Sequence, residues 1–186
     1  MHIRRFGIIL LTALLPGAVP ALAAPAGSPA LSAAANKAYL AAFARKPGVV
    51  VRPSGLMYRI LHSGFGRRPE PTDYVTVYYT GTLIDGTEFD GTEPDMPARF
   101  KVNTLIPGWA EALTQMRVGD HWLVVVPANM GYGNRGAGQL IPPGQTLVFD
   151  LELMKVVPPK PIPRDPDANP DKYDDNQDLG PADDAD

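Results

Sequence analysis

The chain contains no cysteine among its 186 residues and only three histidines. Without cysteine there is no disulfide, thiolate zinc site, iron–sulfur ligation, cysteine nucleophile or lipid carried on a processed N-terminal cysteine. If the chain works in an oxidising compartment, its stability must come from the core alone. Histidine offers no metal site either. His2 sits in the leader, and neither His62 nor His121 has a carboxylate at ligand spacing, so both read as surface imidazoles. The Gly-Xaa-Ser-Xaa-Gly elbow of serine hydrolases is missing. Gly131-Tyr132-Gly133-Asn134-Arg135-Gly136 spells the dinucleotide-binding letters. The residues behind it, Ala137 to Pro143, end in two prolines and cannot form the helix whose N-terminus would hold a pyrophosphate. No apolar run approaches the roughly 20 residues that cross a bilayer. Conventional nucleophile, metal, phosphate and membrane-spanning chemistry is therefore unsupported.

Charge is unevenly distributed. Residues 24–157 carry 12 Lys/Arg against 11 Asp/Glu, so the foldable part presents no nucleic-acid surface. Residues 1–23 carry Arg4 and Arg5, then the apolar run Phe6–Leu15, then Ala21-Leu22-Ala23. That three-part pattern predicts a secretory signal cleaved near Ala23, with the periplasm as the first expectation and secretion as the second. Residues 158–186 hold seven prolines and nine aspartates with few apolar side chains. Such a segment cannot bury enough surface to order itself and reads as a disordered acidic tail. The expected organisation is a signal peptide at 1–23, a linker with an N-terminal helix at 24–54, one domain at 55–157, and the tail.

Ser32 can cap a helix running to about Arg45, which Lys46-Pro47-Gly48 ends. Strand patterns follow at Leu56–Leu61, Asp73–Thr82, Thr87–Asp90, Arg99–Val102, His121–Val126 and Thr146–Val157, with Asp85-Gly86 as a hairpin turn. Pro107 opens a short helix to about Met116. The crossover helices of a parallel sheet are missing. The fold class is therefore α+β: a twisted antiparallel sheet of about five strands wrapped around one short helix, preceded by an N-terminal helix. The most apolar strand, Thr146–Val157, is expected at the centre. Asn129–Gly144 is too rich in glycine and proline for a regular element.

Several apolar residues stand beside turns rather than inside strands. Phe89 and Tyr132 flank turns, and Leu140-Ile141 lies in a loop closed by two prolines. Loop-borne apolar residues line pockets more often than they fill cores.

Tyr79-Thr80-Gly81, Asp85–Asp90, Leu105-Ile106-Pro107-Gly108-Trp109, Gly131-Tyr132-Gly133, Ile141-Pro142-Pro143 and Thr146–Asp150 together resemble the FKBP-type peptidyl-prolyl cis-trans isomerases. The likeness covers about Gly55–Val157 in order, and the Pro-Ala-Arg-Phe and Ile-Pro-Gly-Trp runs are most similar to the exported bacterial branch of macrophage infectivity potentiators. The resemblance implies rotation about Xaa-Pro bonds without cofactor or metal. It implies a site of Tyr79, Phe89, Asp90, Ile106, Trp109, Tyr132 and Phe149, with Leu105, Leu140 and Ile141 contacting substrate. Trp109 would be the floor, the Ile106 N–H would hold one substrate carbonyl, and the Tyr132 hydroxyl a second. Two positions depart from the pattern. Ala98 replaces an aromatic wall, and Gly91–Pro97 has no arginine for Asp90, leaving Tyr79 or Arg99 as its partner. Implied partners are proline-containing unfolded or partly folded polypeptides and macrolide inhibitors. The alternative is a proline-peptide binding module or holdase of low turnover. Assembly is expected to be monomeric, or weakly dimeric through the N-terminal helix.

Overall fold

The computed structural model describes residues 28–160. The predicted signal and its cleavage point lie outside them, as does the acidic tail from residue 161 onward.

The N-terminal helix α1 spans Ala33–Ala44. Ser32 caps it, its Oγ accepting the Ala35 N–H at 3.2 Å, which satisfies one of the orphan donors of the first turn. Twelve residues of helix are marginal alone. Docking supplies the remainder. Phe43 is buried among Met57, Val125, Leu123 and Val148 on the outer face of the sheet. Burial of one such side chain contributes about 1.5–3 kcal/mol.

Seven strands follow: β1 Val49–Val51, β2 Met57–His62, β3 Tyr74–Leu83, β4 Glu88–Gly91, β5 Ala98–Lys101, β6 His121–Val126 and β7 Leu147–Val157. The second helix, α2, spans Pro107–Gln115 between β5 and β6. The sheet is antiparallel throughout, in the order β1-β2-β6-β7-β3-β4, with β5 also paired to β3. The expected central strand is central: β7 runs between β6 and β3 and buries Leu147, Phe149, Leu151 and Leu153 on one face. The strand number exceeds the expected five for two physical reasons. β4 pairs Thr80–Thr82 while β5 pairs Tyr74–Val77, so they share one edge of β3 and form an interrupted strand. β1 adds a position outside β2 that its three valines did not announce.

The inner face carries one core, from Leu56, Val75 and Val77 to Leu113, Met116, Trp122 and Leu151. Proline at the first position of α2 costs the helix no hydrogen bond. Gly108 then allows α2 to lie hard against β6, because a Cβ there would stand 2.5 Å from Val126 Cγ1. That close approach sets Trp109 over the middle of the sheet.

Candidate active site

Tyr79 is carried by β3, Phe89 and Asp90 by β4, and Phe149 by β7. Leu105 and Ile106 precede α2, Trp109 sits in its first turn, and Tyr132 lies between two single-turn 3-10 segments, Ala128–Met130 and Gly133–Arg135. These eight residues line one cavity of about 120 Å³, together with Phe100. Its size matches a single small ring, since an apolar cavity of roughly 150 Å³ accommodates benzene.

Trp109 is 4% exposed and forms the floor. Three rings meet it edge-on: Tyr79 at 4.9 Å, Phe149 at 5.1 Å and Phe100 at 5.8 Å between centroids, with interplanar angles of 89°, 81° and 88°. Phe89 meets Phe149 in the same way at 5.6 Å. Such T-shaped contacts satisfy the ring quadrupoles while standing the walls upright. Gly81 makes room for them: a Cβ there would lie 2.7 Å from Phe89 and 2.9 Å from Phe149.

The polar groups sit at the rim. Tyr79 donates its hydroxyl to Asp90 Oδ2 at 2.7 Å, and Asp90 Oδ1 accepts the Gly91 N–H at 3.0 Å. Burial pushes the Tyr79 phenol well above its ordinary range, and the hydrogen bond and charge of Asp90 push it further in the same direction. It therefore stays a donor at every physiological pH. Arg99 is not the partner of Asp90. It points to the outer face of the sheet and lies over the Tyr74 ring at 4.6 Å. The Ile106 N–H makes no hydrogen bond among the described residues. Tyr132 is 40% exposed at the mouth.

Two expected contacts fall elsewhere. Leu140 and Ile141 line a neighbouring groove that shares Phe89, Asp90 and Tyr132 with the cavity. Ile141 is 7% exposed and belongs to the core, whereas Leu140 is 56% exposed. They part because consecutive residues in this loop face opposite ways, with Ala137 and Ile141 exchanging two backbone hydrogen bonds. One wall was not in the expected set. Phe100 lies opposite Val75 in register, and Val75 is fully buried, so strand alternation along Ala98-Arg99-Phe100-Lys101 would have found it. His121 is also better partnered than its sequence neighbours suggest, because Asp150, 29 residues away, lies 2.5 Å from its Nε2 on the outer face.

The architecture is thus an antiparallel sheet packed over one short helix, with an aromatic cavity at the helix N-terminus. Comparison then gives the family. The FKBP-type peptidyl-prolyl cis-trans isomerase model matches residues 66–154, and that of the domain amino terminal to it matches residues 24–60. Outer membrane protein MIP of Legionella longbeachae is 54% identical over 112 residues, covering 60% of this chain and 48% of that protein. The FKBP-type 22 kDa peptidyl-prolyl cis-trans isomerase of Escherichia coli is 50% identical over 115 residues, covering 61% and 56%. A crystal structure of a peptidyl-prolyl cis-trans isomerase from Pseudomonas syringae superposes with a TM-score of 0.65 at 36% identity, covering 72% of this chain and 99% of that one. That of FkpA from Escherichia coli gives 0.65 at 41%, covering 67% and 59%. The chain belongs to the FKBP-type peptidyl-prolyl cis-trans isomerases. It spans about half the length of the curated relatives it matches.

Proposed function

We propose that this chain accelerates cis–trans rotation about Xaa-Pro bonds in polypeptides that fold outside the cytoplasm. The observation that carries the reading is the cavity itself: a ring-sized apolar space floored by Trp109 with its few polar groups confined to the rim. Amide rotation costs ~18–20 kcal/mol because resonance gives the C–N bond double-bond character. The planar ground state is the more charge-separated one, and the twisted state has lost that polarity. Taking the bond out of water therefore penalises the ground state more, which is differential binding without a nucleophile. The prolyl ring packs on the Trp109 face, between the upright walls of Tyr79, Phe100 and Phe149. The Ile106 N–H holds one substrate carbonyl and the Tyr132 hydroxyl another. Asp90, fixed by Tyr79, shapes the field around the twisting carbonyl and transfers no proton. Leu140 extends the contact beyond the cavity, and macrolide inhibitors compete for the same space. Proline suits the mechanism because its two isomers differ by only about 0.5–1 kcal/mol, so both are populated while exchange is slow.

A second reading, a holding module with little turnover, is favoured by exposed Met96 and Leu140, 69% and 56% accessible. A proline-isomer-coupled peptide cleavage assay separates the two. Turnover above background supports the isomerase. Peptide binding with a background rate leaves the holding module. Export rests on the leader at residues 1–23 and is tested by the intact mass of protein recovered from periplasm and medium. Self-association, if present, is assigned to α1; sedimentation with and without residues 24–46 reads it.

A further inference from the structure

Asn36 lies in α1 and Gln145 just before β7, 109 residues apart in sequence. Both are buried, at 5% and 6% exposure, and Thr146 beside them at 1%. Asn36 Nδ2 donates to Gln145 Oε1 at 3.0 Å and to the Leu31 and Ser32 carbonyls at 3.1 Å each. Its Oδ1 accepts the Thr146 N–H at 2.7 Å. Gln145 Nε2 donates to the carbonyls of Leu31 at 3.1 Å and Pro143 at 3.0 Å. No polar atom of either amide is left without a partner. Hydrogen bonds exchanged for those with water add little net stability, so a fully satisfied buried pair specifies a geometry more than it strengthens a dock.

The geometry it specifies is the base of the loop that carries Tyr132. The Gly144 N–H donates to the Gly133 carbonyl at 2.8 Å, tying the loop shut between Tyr132 and Gln145. Within that loop Gly133, Gly136, Gly138 and Gly144 all have positive φ. Glycine backbone of this kind has many alternatives, so local preference does little to hold Tyr132. Apolar packing anchors the far side of the loop, where Ile141 enters the core, but on the side facing α1 an open cleft separates helix and loop. The amide seam is the main link across that gap.

We propose that Asn36 and Gln145 are positioning residues for Tyr132, so that α1 is part of the catalytic unit although no residue of it lines the cavity. The proposal rests on the isomerase reading for its effect on rate, but its effect on the loop is separate. The test uses the full chain as wild type, Asn36→Ala, Tyr132→Phe and the double variant. Turnover is followed together with amide exchange in residues 131–144, and Gln145→Met serves as the second probe should Asn36→Ala fail to fold. The expected result is a loss of roughly threefold to tenfold in kcat for Asn36→Ala with little change in KM, the size of one hydrogen bond. Exchange in the loop should quicken while β3 and β7 stay protected. In the Tyr132→Phe background the same change should cost nothing further, as coupled sites require. Equal fold losses in both backgrounds would overturn the proposal. So would a lowered Tm with turnover and loop exchange unchanged, which is what a merely structural role gives. If the wild type shows no turnover, the isomerase reading falls and loop exchange alone decides: faster exchange supports the positioning role and unchanged exchange removes it.

Discussion

The chain has two tryptophans, and they do opposite things with the same chemistry. Trp109 and Trp122 are 4% and 3% exposed, share one core, and each keeps an indole N–H without a partner among the described residues. Neither burial nor the orphaned donor distinguishes them. Ring orientation does. Tyr58 stacks face to face on Trp122 at 4.2 Å and 13°, closing the space over its face. Around Trp109 the neighbours stand at 81° to 89°, and together with it they line the cavity rather than closing over it. A cavity in a well-packed protein needs neighbours that cannot collapse into it, and upright rings held by β3, β5 and β7 meet that need.

The largest effect should come from truncating each tryptophan in turn. Trp109→Ala and Trp122→Ala should both cost about 3–5 kcal/mol of stability, measured by denaturant unfolding. Only Trp109→Ala should abolish turnover per folded molecule. Equal losses of turnover would erase the distinction drawn between them. Gly81→Ala attacks the walls instead: its Cβ would enter the 2.7 Å approach to Phe89. Overpacking of this kind costs about 1–3 kcal/mol, and the displaced ring should raise KM for prolyl peptides. A third change leaves every ring in place. Tyr132→Phe should lower kcat/KM by about twofold to twelvefold, the value of one hydrogen bond of about 0.5–1.5 kcal/mol, with the unfolding curve unmoved.

The smallest effects are those of pH. Neither His62 nor His121 lines the cavity, so turnover should be flat from pH 6 to 8. A single ionisation near neutrality that vanishes in a His121 variant would sink the desolvation mechanism. At alkaline pH stability should respond. The Tyr79 phenol is raised by burial and by Asp90, so above the ordinary phenol range the unfolded chain loses that proton while the folded chain keeps it. The unfolded state then binds fewer protons, and stability falls as pH rises through that window. Tyr79→Phe should flatten this part of a Tm-against-pH curve.

Much of the site was legible because it is locally encoded. Pro107 marks the helix start, so Trp109 could be set on one face of α2 from the letters around it, while its place as the floor came from the family resemblance. Asp85-Gly86 likewise names the turn at which Gly86 has φ +88° and from which β4 departs. What escaped was set by partners far along the chain. Strand alternation puts Phe100 on the inner face, but only its register with β3 sets it against the cavity, and Leu140 and Ile141 separate only through the fold of a loop that has no period to read. His121 meets Asp150 through the pairing of β6 with β7. The Asn36–Gln145 seam is the extreme case, since an asparagine in an alanine-rich helix carries no mark of a glutamine 109 residues away.

The sheet ends on both sides in very short strands, three residues of β1 at one margin and four of β4 at the other. A long bare margin invites other chains to add themselves as further strands and grow into aggregates. A protein proposed to spend its working life among incompletely folded polypeptides meets that hazard at every encounter. Clipped margins leave little backbone to template on, so under that proposal a visiting chain meets side chains rather than an open ladder.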